Sequence, residues 1–189
     1  ERFGVDVRDA VCADVGAATG GFTEVLLKRG AAKVYAIDAG RGKLDLKLRE
    51  DPRVVVMEET NVLTMPPPPE SVSVVTVDVS FTLLTLVLPK FRSWLFRLEA
   101  PGVRYSSDRV NNDGGPGTVI ALFKPQYEVE DKSLLEHGIL RNDSARFELV
   151  EKFRAWLKEH GWQERGFAES PIRGSEGNVE YLFYISPAA

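Results

Sequence analysis

Five charged residues stand where short apolar runs begin or end. Asp14, Asp38 and Asp78 each close such a run, Lys124 closes another, and Glu180 lies near the start of the last. A lysine placed between two carboxylates in a partly dry cleft can hold a hydroxyl group and take or steer its proton. Burial must then lower its pKa enough to compete with the pairing that raises it. Asp78, Lys124 and Glu180 are therefore the candidate catalytic group.

A second pattern points to the ligand that would sit beside them. In VCADVGAATGGF, Val11 to Phe22, an apolar run reaches Asp14, turns through Gly16, Ala17, Thr19, Gly20 and Gly21, and enters a helix-like segment at Phe22. A strand, a glycine-rich turn and a helix N-terminus together hold nucleotide-like ligands. The dinucleotide fingerprint would require glycine at position 18, where the chain has Ala18, so NAD-dependent oxidoreduction is disfavoured. Asp38 follows Gly16 by 22 residues, the place from which a nucleotide-binding βαβ unit offers a carboxylate to ribose hydroxyls. Thr60 and Asn61, just beyond the third apolar run, are placed to face an adenine or a neighbouring loop.

The elements that must carry these residues follow from periodicity. Lys33 to Asp38, Arg53 to Glu58, Ser71 to Asp78 and Thr118 to Glu128 read as strands, joined by helix-like segments. Gly42 to Glu50 reads as a short helix, and an apolar helix runs on from Phe81, with Ser80 as its cap rather than a nucleophile. Asp143 to His160 is amphipathic, with Phe147, Val150, Phe153, Trp156 and Leu157 on the core side, Asp143 or Ser144 as N-cap and Gly161 as the stop. Residues 98–117 are rich in Pro, Gly, Asn and Asp and read as an irregular surface loop. Two closing strands with no helix between them complete a doubly wound sheet whose last strand runs antiparallel. In such a sheet ligands bind beyond the carboxyl ends of the parallel strands, and an antiparallel last strand brings Glu180 to that same edge.

Composition sets outer limits. At 189 residues, 43% hydrophobic and 28% charged, the chain reads as one α/β domain, residues 1–189. A net charge of -4 disfavours a strongly basic nucleic-acid surface. The single cysteine, Cys12, cannot form an internal disulfide and suits a reducing cytoplasm. His137 and His160 lack neighbours at metal-ligand spacing, so no metal is expected, and no apolar run approaches the roughly 20 residues that span a bilayer. The chain begins at Glu1 without methionine and reads as a fragment.

Taken in order, DVGAATGGF, VYAID, DPRVVVMEETN, VDVSF, LFKPQYE, HGILRND and SPIRGSEGNVEYLF resemble the motifs of the TlyA, or hemolysin A, branch of the FtsJ-like RNA methyltransferases. The resemblance implies a Rossmann-like class I methyltransferase fold, S-adenosyl-L-methionine as cofactor, and ribosomal RNA or ribosomal subunits as partner, methylated on a ribose 2′-hydroxyl. It maps the family's Lys-Asp-Lys-Glu tetrad onto Asp78, Lys124 and Glu180 and places the first lysine upstream of Glu1, together with an S4-type RNA-binding domain. Arg2 and Arg8 do not match that first motif. The alternatives are a membrane-active cytolysin, as the branch's other name implies, and a cofactor-binding scaffold without catalysis.

Overall fold

A computed structural model describes residues 2–95 and 117–188; all but Gly117 of the 98–117 segment lies outside the described residues. Seven strands form one sheet: β1 (Val11–Val15), β2 (Lys33–Ile37), β3 (Val54–Met57), β4 (Val74–Val77), β5 (Thr118–Phe123), β6 (Trp162–Glu169) and β7 (Tyr181–Pro187). Their order is β3-β2-β1-β4-β5-β7-β6. The first five pair in parallel, while β7 runs antiparallel to both β5 and β6. The expected mostly parallel, seven-stranded sheet with an antiparallel last strand is thus the observed one.

Alternation along the strands sends apolar side chains to both faces, as a doubly covered sheet requires. Cys12, Val34 and Val74 face Leu26 and Leu27 of α1 (Gly21–Lys28). Ala13, Val15, Val75, Val77, Ala121 and Phe123 share the other core with α3 (Leu84–Leu95) and α5 (Asp143–Glu159). Burial pushes the Cys12 thiol up to about 12, so this cysteine behaves as a small core hydrophobe.

Several boundaries differ from the sequence reading, each for a local reason. The segment KPQYE does not prolong β5: Pro125 opens a one-turn helix, α4 (Pro125–Glu128), whose first position tolerates the missing N–H. The second helix shrinks to α2 (Leu46–Arg49), because the side chain of Asp45 caps it by accepting from the Lys47 N–H. Helix α3 starts at Leu84, leaving Ser80 and Thr82 in the loop before it, so Ser80 is not its cap. The α5 cap is Asn142, one residue earlier than expected, accepting from the Ala145 N–H at 3.1 Å. Phe147, expected in the core, is 58% exposed; the buried stripe of α5 is Val150, Phe153 and Leu157.

Candidate active site

The strand register explains why the charged residues converge. Val15 is level with Ile37 and with Val77, so Gly16, Asp38 and Asp78 emerge together at the carboxyl edge of the sheet. Phe123 is paired with Tyr181, and one step beyond that pair lie Lys124 and Glu180. A cleft of about 450 Å³ opens at this edge, within the range of small-molecule sites, and Gly16, Asp38, Thr60, Asn61 and Asp78 all line it.

The glycine turn is dictated by the packing beneath it. Gly16 has φ +82°, and a Cβ there would lie 2.1 Å from the carbonyl oxygen of Asp78. Gly20 has φ +100°, and its Cβ would meet Leu48 at 2.1 Å. The N–H groups of Gly16 and Ala17 both donate to the Ile37 carbonyl, so this part of the turn is closed on the end of β2 and not offered to a ligand. Ala17 and Gly20 are buried beneath the turn, Thr19 and Gly21 are exposed, and Phe22 is half-buried; none of these lines the cleft. Ala18 does line it, with φ +48°, so this alanine adopts the left-handed backbone for which a dinucleotide site would use glycine.

Asp14 lies under the turn and does not reach the cleft. It points to the same face as Cys12 and is level with Thr76, and its carboxylate accepts from the Thr23 N–H at 2.8 Å, Thr23 Oγ1 at 2.6 Å and Thr76 Oγ1 at 2.9 Å. It therefore braces the first turn of α1 rather than touching a ligand. Burial outweighs these bonds and pushes its pKa up to about 6. An acid whose folded pKa exceeds its unfolded value costs stability as pH rises: the unfolded chain releases the proton first, near pH 4, and the cost is complete above about pH 6. Asparagine can accept from Thr23 and donate to Thr76. Asp14→Asn should therefore match the parent protein in urea denaturation at pH 4 and exceed it by about 2 kcal/mol at pH 7.5. An equal stability difference at both pH values would refute the assignment.

Asp38 presents its carboxylate to the cleft, accepting from the Ala18 N–H at 2.9 Å and the Gly40 N–H at 2.7 Å. The adjoining loop is held by Glu58, which accepts from Arg49 and from the N–H groups of Gly42, at 2.8 Å, and Lys43, at 3.0 Å. The Arg49 guanidinium and these donors hold the Glu58 carboxyl at about 2. The loop in turn sets Lys43 3.9 Å from Asp38. Neither Glu58 nor Lys43 belongs to the set singled out by spacing, because what brings them in is the pairing of β2 with β3.

Lys124 and Glu180 do not line the cleft, but Lys124 reaches two residues that do: its Nζ lies 2.5 Å from Asp78 Oδ1, an ion pair lying off hydrogen-bond directions, and donates to Ser80 Oγ at 3.2 Å. Glu180 is buried, and burial raises its pKa despite the nearby ammonium of Lys124. The four residues after Lys124 organise this region. Pro125 starts the turn, Gln126 donates to Glu180 Oε1 at 2.8 Å, the Tyr127 ring lies 4.7 Å from that of Phe81, and Glu128 accepts from the Leu84 N–H at 3.0 Å. Phe81 is 87% exposed at φ +62°, an apolar ring held out to solvent at the cleft rim. Ser80, Phe81, Gln126 and Glu128 were missed by spacing alone; the signal that could have found them is that VDVSF and KPQYE flank the two residues picked for catalysis. Among the described residues no group of three or more His, Cys, Asp or Glu could hold a metal ion, and no helix is long and apolar enough to cross a membrane.

The strand order and the cleft at the carboxyl edge define the Rossmann-like methyltransferases; solved methyltransferases only 15–16% identical share the fold with TM-scores of 0.56–0.64. The family can be given more closely, since residues 1–186 match the FtsJ-like methyltransferases, and the chain belongs to that family. Hemolysin A of Brachyspira hyodysenteriae is 37% identical over 187 residues, 97% of this chain and 70% of its own length. The 16S/23S rRNA (cytidine-2′-O)-methyltransferase TlyA of Mycobacterium tuberculosis is also 37% identical, over 98% of this chain and 63% of its own length. A solved hemolysin-type protein of Streptococcus thermophilus superimposes with a TM-score of 0.83 at 35% identity, covering 99% of this chain and 62% of the other. The chain spans 60–70% of the length of the curated relatives it matches.

Proposed function

We propose that this chain transfers a methyl group from S-adenosyl-L-methionine to a ribose 2′-hydroxyl of ribosomal RNA. The observation that carries the reading is the Lys124–Asp78 pair, set beside buried Glu180, with Asp78 and Asp38 both lining one cleft. The cleft's donor set fits the cofactor: a carboxylate for ribose hydroxyls at Asp38 and two polar residues, Thr60 and Asn61, for the base. When bound, S-adenosyl-L-methionine supplies an electrophilic methyl on a sulfonium, whose departure as a neutral thioether needs no acid.

The chain's residues then have two tasks. Asp38, Thr60 and Asn61 hold the nucleoside at one end, while Asp78, Lys124 and Glu180 receive the acceptor hydroxyl at the other. Lys124 directs the hydroxyl oxygen, and its ion pair with Asp78 and its bond to Ser80 keep the ammonium in place. With the cofactor held there, its methyl would be available to the hydroxyl oxygen that these residues align, the electron pair of the S–CH₃ bond staying with sulfur. The hydroxyl proton passes to the Asp78, Lys124 and Glu180 group and on to solvent. The relatives named as rRNA (cytidine-2′-O)-methyltransferases support ribosomal RNA as the acceptor.

Calorimetric titration tests the cofactor half of this reading. S-adenosyl-L-methionine should bind saturably and NADH should not, and Asp38→Ala should weaken binding at least about tenfold, the loss of a charge-assisted hydrogen bond. Binding unaffected by Asp38→Ala, or preference for NADH, would sink it. Transfer of a labelled methyl group to deproteinised rRNA or to purified ribosomal subunits tests the acceptor.

A further inference from the structure

Glu180 is seated with unusual care for a carboxylate one residue outside a strand. Its backbone carbonyl accepts from the Ser170 N–H at 2.8 Å, which ties it to the end of β6. Its side chain is 5% exposed, and the hydrogen-bond partner of its carboxylate among the described residues is Gln126 Nε2, at 2.8 Å. Gly174 forms the facing wall: a Cβ there would lie 2.1 Å from Glu180 Oε1 and 2.6 Å from its Cδ. That glycine is not called for by a left-handed backbone, so the space it leaves is space for the carboxylate.

Gln126 itself is 4% exposed, and its Oε1 is buried without a partner. An apolar side chain of the same length would fill the position without stranding a carbonyl oxygen, and buried amides left half-satisfied call for an explanation. What the amide adds is the bond to Glu180. Lys124, the neighbouring cation, makes its ion pair with Asp78 and not with Glu180. We propose that Gln126 is a positioning residue for methyl transfer, holding one oxygen of Glu180 in a seat bounded by Gly174 and leaving the other for Lys124 and the acceptor hydroxyl.

The inference rests on the reading of Glu180 as part of the methyl-transfer machinery, and the test separates the two. Gln126→Met and Gly174→Ala are made in the parent sequence and in Glu180→Ala, each in the native full-length chain. Methyl transfer to rRNA is followed with cofactor affinity and melting temperature. Glu180→Ala should lower kcat about a hundredfold, as loss of a proton-handling group does. Gln126→Met should lower kcat at least about tenfold with cofactor affinity unchanged, and should move the acidic limb of the pH profile upward, because burial of Glu180 is no longer offset by the amide. In the Glu180→Ala background the same change should cost less than about twofold, since the group it positions is gone.

Full activity of Glu180→Ala would overturn both this inference and the catalytic reading of Glu180. An inactive Glu180→Ala beside fully active Gln126→Met and Gly174→Ala would overturn the positioning role alone, as would equal losses in the two backgrounds. Should Gln126→Met fail to melt cooperatively, Gly174→Ala decides by the same criterion: it should be harmful beside Glu180 and harmless beside Ala at position 180.

Discussion

If the proposed function holds, Lys124→Ala should lower methyl transfer to rRNA by about 10²–10⁴-fold, the span for loss of a positioned proton-handling group, and should leave S-adenosyl-L-methionine binding within about twofold of the parent. The split follows from where the side chain sits. Lys124 reaches Asp78 and Ser80, whereas the residues assigned to the nucleoside, Asp38, Thr60 and Asn61, lie in the loops that follow β2 and β3. Removing the ammonium leaves Asp78 and Glu180 as uncompensated carboxylates where the hydroxyl must approach, which repels the developing oxyanion. Lys124→Arg should not restore activity, because a guanidinium stays charged and needs a planar, wider site than a side chain only 13% exposed provides. Methyl transfer by Lys124→Ala at the parent rate would remove Lys124 from the mechanism.

Gly16→Ala should disrupt the site from beneath. The substitution adds a Cβ 2.1 Å from the Asp78 carbonyl oxygen and 2.7 Å from its carbon, both backbone atoms, at a φ of +82°. Left-handed strain and overpacking against a backbone each cost about 1–3 kcal/mol, so urea denaturation should register a loss of about 2–5 kcal/mol. The clash separates the ends of β1 and β4, the two strands that hold the turn against Asp78, and so cofactor binding is lost with stability. Gly21→Ala is the matched control. Nothing lies within 4 Å of its added Cβ, and it is the first residue of α1 with an ordinary backbone, so its stability stays within about 0.5 kcal/mol of the parent. Equal stability of the two variants would contradict the packing account of Gly16.

By itself the amino-acid sequence determined the order and type of the main elements, the antiparallel last strand and the edge at which the charged residues gather. Those features are local or periodic. Apolar runs four to seven residues long can only be strands when Gly, Pro and Asp punctuate them, and alternation with helical periods forces parallel pairing. Gly16, Asp38 and Asp78 could be aligned because each stands immediately beyond its strand.

Only the tertiary structure decided what each of these residues touches. Asp14 closes an apolar run as Asp38 does, yet it is level with Ala36, two residues short of Asp38, and so lies within β1, under α1 and away from the cleft. Glycines 16 and 20 are set by the Asp78 carbonyl and by Leu48, partners distant in the chain. Gln126 and Glu128 became part of the site because a proline converted the end of an expected strand into a helical turn, which aims successive side chains at Glu180, Phe81 and Leu84. Spacing along a chain states which residues reach an edge; the direction of a side chain at that edge depends on the neighbouring strand's register and on the space other segments leave.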